Sequence, residues 1–378
     1  MRRVRVVWRV SVIAALVLAG VVPVARAQSV SMVLPASGAT ADAWKALEAG
    51  HLREAESRFA RARAAGPDET AALVGSAIVA RRLGQADDAR RWLTRALQID
   101  PALTAASLVL ASLSRESGDL DAALRIYEAA LVRAPEHPEL TAGADLCRAE
   151  LARLTRWAGD RDTHARIFFD GPADESTARL ALASVEQARL QIGAALQVMP
   201  PDVVTVVLAT RASTSGAGAA APEWSTSQFD GRIRMQVRPP VKDQYEFVRM
   251  LTHEYAHAVL RGVASAGVPA WINEGLATLL EPDGGKRAGR DLKKAGVLLP
   301  WPRLQESFAS LPPTMVTGAY AQSAIGIAVL VDKAGLPAVL ALMRDLAAGE
   351  PLDTALRMRT GLSLEGFQQE FLASLRSP

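Results

Sequence analysis

The chain has a single cysteine, Cys147, in 378 residues. An intramolecular disulfide and a cysteine-rich zinc site are therefore both excluded, and any bound metal must be held by His and carboxylates. Histidine is scarce too, with five in the chain, so each pairing of them is informative. Charge of one sign is not in excess. The formal charge is +3, but Arg2, Arg3, Arg5, Arg9 and Arg26 all fall in the first 27 residues, which hold no Asp or Glu. Without those five, 38 basic residues face 40 acidic ones, and the balance shows no retained excess of basic charge of the kind a general nucleic-acid binder requires. With 49% hydrophobic and 22% charged residues, neither general disorder nor a multi-pass membrane protein is supported. The apolar run at residues 10–22 is shorter than the roughly 20 residues of a membrane-spanning helix.

That run has the form of an export signal. A basic start precedes it, and Ala25-Arg26-Ala27 places small residues at the two positions a signal peptidase reads. The expectation is cleavage after Ala27 and a protein that is periplasmic or secreted, with no stable membrane span afterwards. No cysteine stands near the cleavage position, so lipid attachment there is not expected.

Glycines 50, 84 and 118 are 34 residues apart, and so are Pro67, Pro101 and Pro135. Within each unit Ala55, Ala89 and Ala123 precede Phe59, Leu93 and Tyr127 by four residues, and Ala62, Ala96 and Ala130 follow three later. Spacings of four and three put each trio on one helical face. Glycine ends one helix of each pair and proline stops the other. Small alanines at the crossings let helices approach closely. The period resembles the tetratricopeptide repeat, a helix-turn-helix unit of about 34 residues, and Trp44 and Leu47 match the first-helix pattern of the opening unit. The resemblance implies an α-solenoid whose groove takes a peptide or partner protein. A packing spacer without a ligand is the plainer alternative.

Beyond residue 159 the pattern changes. Strands are expected at 164–169, 203–208 and 231–238, and an amphipathic helix at 175–198. The Ser-, Gly- and Ala-rich stretch 213–222 reads as a loop. Helix resumes near Gln244, and further helices are expected over 323–342 and 364–375. The expected organisation is a signal peptide (1–27), a linker (28–40), three repeats (41–136), a capping helix and linker (137–160) and a mixed domain (161–378). The fold class is α+β, mostly α.

His253-Glu254-Tyr255-Ala256-His257 is an H-E-x-x-H sequence. Four residues apart on a helix, both imidazoles share one face and can bind one metal ion. Glu254 then reaches the water that the metal activates, takes its proton and returns it to a leaving amine. A catalytic zinc site needs a third protein ligand, and no histidine follows His257. A carboxylate is required. Glu274, 17 residues after His257, lies on a second helix opened by Pro269, and Glu281 and Asp283 near its end are further candidates.

The segment resembles the gluzincin metallopeptidases. Trp271 to Ala277 is similar to their W-x-N-E-G-x-A tract, and the second half is similar to the peptidase MA-like domain of exported bacterial proteins, often found beside tetratricopeptide repeats. The resemblance implies a zincin-like domain with a small sheet and an active-site helix. It implies one Zn2+ on His253, His257 and Glu274, with Glu254 as general base. It also implies an edge strand, here 231–238, that holds extended substrate. One departure is Thr278, where some gluzincins place an acidic residue four after the ligand. Tyr320 is the sole tyrosine beyond Glu274. It is expected at the start of a helix, as donor to the oxyanion of the tetrahedral intermediate. No acidic motif for a substrate amine is visible upstream, which favours endopeptidase action on a peptide or protein substrate. The alternative is a non-catalytic periplasmic adaptor that keeps a structural zinc site. His51, His137 and His164 read as structural or exposed, and Cys147 as a small core residue.

Overall fold

The computed structural model describes residues 7–12, 30–35, 38–161, 163–210, 228–229, 231–264 and 267–376. Strand β1 (Val7–Val12) pairs antiparallel with β2 (Val30–Pro35). Most of the apolar run 10–22, the cleavage position after Ala27 and the loop 213–222 lie outside the described residues. The stretch expected as a linker at 28–40 contains β2 and the first residues of α1. The described residues divide into two compact units, one up to Leu154 and one from Thr155.

The first unit is built from helix pairs. They are α1 (Gly38–Glu48) with α2 (Leu52–Ala65), α3 (Thr70–Arg82) with α4 (Ala86–Ile99), and α5 (Thr104–Glu116) with α6 (Leu120–Leu131). The periodic glycines make the turn inside each pair: Gly50, Gly84 and Gly118 have φ of 80°, 78° and 77°, a region costly for a residue with a Cβ. The periodic alanines at 55, 89 and 123 are wholly buried, as are Phe59 and Leu93. Trp44 meets Phe59 edge-to-face at 5.3 Å. Helix α7 (Pro138–Leu151) packs on α6 and buries Cys147. A helix running on to Trp157 is expected from sequence, but it ends at Leu151. Leu154–Arg156 forms β3 instead, and the Trp157 N–H donates to the Ile167 carbonyl at 2.9 Å. Pairing in a sheet decides these three residues against helix continuation.

The second unit holds a five-stranded sheet of β3, β4 (Ala165–Asp170), β5 (Val204–Ala209), β6 (Gln228–Phe229) and β7 (Ile233–Gln236), in the order β3-β4-β5-β7-β6. Parallel pairing sets Ile167 against Val206, and Val206 against Ile233. The crossover from β4 to β5 is α8 (Glu175–Leu196), whose Ala181, Val185, Ala188 and Ile192 are fully buried. The strand expected at the edge, 231–238, has a neighbour on its outer side. Residues Ile233 and Arg234 of β7 are covered by β6, so among the described residues β6 forms that edge, and Arg232 beside β7 is buried.

Helices α9 (Gln244–Arg261), α10 (Ala270–Leu279), α11 (Gly284–Ala295), α12 (Pro313–Ala334), α13 (Leu336–Ala347), α14 (Leu352–Thr360) and α15 (Leu364–Ser374) follow. The helix expected over 323–342 is two helices, because Gly335, at φ 81°, turns the chain between α12 and α13. Helix α12 is long and apolar enough to cross a membrane, but it lies in the core, with Ala319, Ala324, Ile327 and Leu330 fully buried. Trp271 of α10 stacks on Phe367 at 5.1 Å and meets Trp301 at 4.9 Å, which fixes α10 against the C-terminal helices. The whole is an α+β protein, mostly α.

Candidate metal centre

Helix α9 is capped by Asp243, whose carboxylate accepts the Glu246 N–H at 3.0 Å. Its next turns bury Phe247, Leu251, Tyr255 and Ala256 in the core. Arg249, His253 and His257, at intervals of four, therefore share one stripe of the helix. Helix α10 returns alongside and brings Glu274 to that stripe. Gly275 permits the approach of α10 to α12: a Cβ there would stand 2.5 Å from the Ser323 carbonyl oxygen.

The three residues converge. The Nε2 atoms of His253 and His257 are 3.1 Å apart, and Glu274 Oε2 lies 3.3 Å from the first and 3.2 Å from the second. Two imidazole nitrogens and a carboxylate oxygen so placed need a positive charge among them, a proton or a cation. Tetrahedral bonds of about 2.0–2.1 Å separate neighbouring ligand atoms by about 3.3 Å, which the observed triangle matches. The donor set, two imidazoles and a carboxylate, suits zinc.

His253 has a second partner. Glu281 Oε1 lies 2.8 Å from its Nδ1. A carboxylate there can only accept, so Nδ1 carries a proton and Nε2 is the nitrogen turned to His257 and Glu274, where it holds a second proton or a cation. Glu281 is itself held by Arg249 Nη1 at 2.9 Å and Arg287 Nη2 at 3.5 Å, and Arg249 also grips Glu246 with its Nε at 2.7 Å. Burial works against charge on His253, but the hydrogen bonds and charges of Glu274 and Glu281 overcome it and push its pKa up to about 10. Burial likewise opposes ionisation of Glu274, yet His257 and His253 hold its carboxyl well below the usual range. Glu281 is lowered too, against burial, by His253 and then by Arg249 and Arg287.

Glu281, a further candidate for the third ligand from the sequence, stands behind His253 instead. It supplies the acid that Thr278 lacks: Thr278 Oγ1 is buried and makes no hydrogen bond among the described residues. Arg249 could have been noticed four residues before His253, on the same stripe. Arg287 gave no signal.

Glu254 is 4% exposed on α9, one residue from His253. Tyr320 is in the site, its ring edge-on to His253 at 5.7 Å and to Phe308 at 5.1 Å. It does not begin a helix, as expected from sequence, but lies two turns inside α12, which the prolines at 312 and 313 open. Burial, then the charges of Glu274, Glu254 and Glu281, push its phenol far above the ordinary value, so it stays a neutral donor. The remaining histidines lie elsewhere. His164 Nδ1 is 2.9 Å from Glu186, and His51 faces Glu54 at 3.4 Å.

A family model described as tetratricopeptide repeat matches residues 46–113. The chain is thus a mostly helical α+β protein with a tetratricopeptide repeat region, a kind of module that binds other proteins. No curated protein matches it. Among solved structures, a mutant of the Thermobaculum terrenum O-GlcNAc transferase is similar over 90% of this chain and 93% of its own, at 14% identity and a TM-score of 0.28. At that score the likeness supports no argument.

Proposed function

We propose that the protein is an exported zinc metallopeptidase of the gluzincin type, with a peptidase MA-like second half and a repeat module that holds a peptide or protein partner. The observation that supports it most is the triangle of His253 Nε2, His257 Nε2 and Glu274 Oε2, with sides of 3.1–3.3 Å. These three residues would hold one Zn2+. When bound, zinc lowers the pKa of a water and polarises the scissile carbonyl. Glu254 takes a proton from the attacking water and returns it to the leaving amine. Tyr320 donates its phenolic hydrogen bond to the carbonyl oxygen as negative charge develops there. Glu281 holds His253 in the tautomer the site requires.

Cleavage of a mixed peptide library, read by mass spectrometry, tests the proposal. Cleavage by the native protein that disappears in Glu254→Gln while zinc is retained supports it, and the fragments give the sequence preference. The repeat match at residues 46–113 favours a second reading, a non-catalytic adaptor with a structural zinc site. Zinc binding without any library cleavage would select that reading.

A further inference from the structure

Helix α11 presents Lys286, Arg290, Lys293 and Lys294 to solvent. Their intervals of four, three and one place them in a single arc of the helix. The opposite arc, with Ala288 at 2% and Leu292 at 7% exposure, is packed into the unit. None of the four cations has a carboxylate within ion-pair distance among the described residues. Several arginines of the repeat helices do: Arg53 is bridged to Glu56, Arg58 to Glu54, and Arg90 to Asp87. The one acid of α11, Asp291, lies off the stripe, 3.8 Å from Arg287. Just past the helix, which ends at Gly296 with φ 65°, Val297 is 66% exposed and Leu298 39%. A stripe of four uncompensated cations therefore ends in two exposed aliphatic side chains.

We propose that this face docks the protein on an anionic phospholipid surface, with the four cations among the headgroups and Val297 and Leu298 dipping between them. Charge complementarity selects an anionic partner. The aliphatic pair favours a bilayer over nucleic acid, since a bilayer accepts both the cations and the apolar side chains, whereas a phosphate backbone leaves the aliphatics in water. Helix α11 follows directly on the segment bearing Glu274 and Glu281, so docking would place the candidate metal centre near the lipid surface.

Vesicle sedimentation of the full chain tests this, comparing phosphatidylcholine vesicles with vesicles containing roughly 30% phosphatidylglycerol at low and at about 0.15 M salt. Binding should require phosphatidylglycerol and weaken with salt. Each cation at an anionic surface contributes about fivefold to partitioning, so K286Q/K293Q/K294Q should bind about 100-fold more weakly with an unchanged melting curve. V297S/L298S should weaken binding at both salt concentrations. K45Q/K333Q, which removes lysines elsewhere, should bind as the native protein does. Equal binding to both vesicle types, or full binding by the triple variant, would overturn the proposal. So would a salt-sensitive affinity for duplex DNA that exceeds the affinity for vesicles.

Discussion

Glu281 and His253 are 28 residues apart in the chain and share a hydrogen bond of 2.8 Å. The bond sets which ring nitrogen of His253 is free to face His257 and Glu274. Arg249 and Arg287 hold the carboxylate from behind, so the centre consists of three converging atoms and the buried ion network that aims one of them.

Loss of such a partner lowers metal affinity about 10–100-fold. Glu281→Gln is therefore expected to raise the zinc dissociation constant by that factor, measured by competition with a chelator. Thr278→Ala, whose hydroxyl has no hydrogen-bond partner among the described residues, should leave it within about twofold on the same reasoning. Equal effects of the two substitutions would remove Glu281 from this role.

Gly275→Ala would drive a methyl group to 2.5 Å from the Ser323 carbonyl oxygen. Overpacking of this kind costs about 1–3 kcal/mol, and relief by shifting α10 would also displace Glu274. Denaturant unfolding and zinc titration should both register the change. Gly289→Ala meets no atom within 4 Å and should instead stabilise α11 by about 0.5–1 kcal/mol.

Asp174 caps α8. Its Oδ1 accepts from the Thr177 hydroxyl at 2.6 Å, the Ser176 hydroxyl at 2.7 Å and the Thr177 N–H at 2.8 Å. Those bonds hold its pKa below the ordinary 3.8. The native carboxyl thus binds its proton less readily than the unfolded one, and its contribution to stability is present above that ordinary value and lost as pH falls through the native pKa. Asp174→Ala should cost about 1 kcal/mol at neutral pH, and the difference from the native protein should shrink in acid. A difference that stays constant down to pH about 2 would contradict the assignment.

Tyr320→Phe keeps the ring packing on His253 and Phe308 and removes the donor. Peptidase turnover should fall about 10²-fold, the usual cost of losing one oxyanion donor, with zinc content unchanged. Undiminished kcat would leave Tyr320 a packing residue.

What could be read in the sequence was whatever repeats or recurs at helical spacing. Gly50, Gly84 and Gly118 announced the turns of the helix pairs, and His253 and His257 announced a shared face on α9. The turn back to Glu274 needed only a proline and a length. What could not be read depends on where elements meet. Leu154–Arg156 is a strand because β4 lies beside it. Tyr320 falls inside α12 because the helix starts at prolines 312 and 313, before the polar and small residues that resemble a loop. Glu281 stands behind His253 only because the turn after α10 returns it to α9, a placement no local pattern records.

Zinc content of the purified protein, measured by atomic emission beside His253→Ala, His257→Ala and Glu274→Ala variants, tests the metal centre most directly. One zinc per chain in the native protein, lost in each of the three folded variants, is the expected result. A native protein without zinc, or one whose zinc survives all three substitutions, would contradict the account.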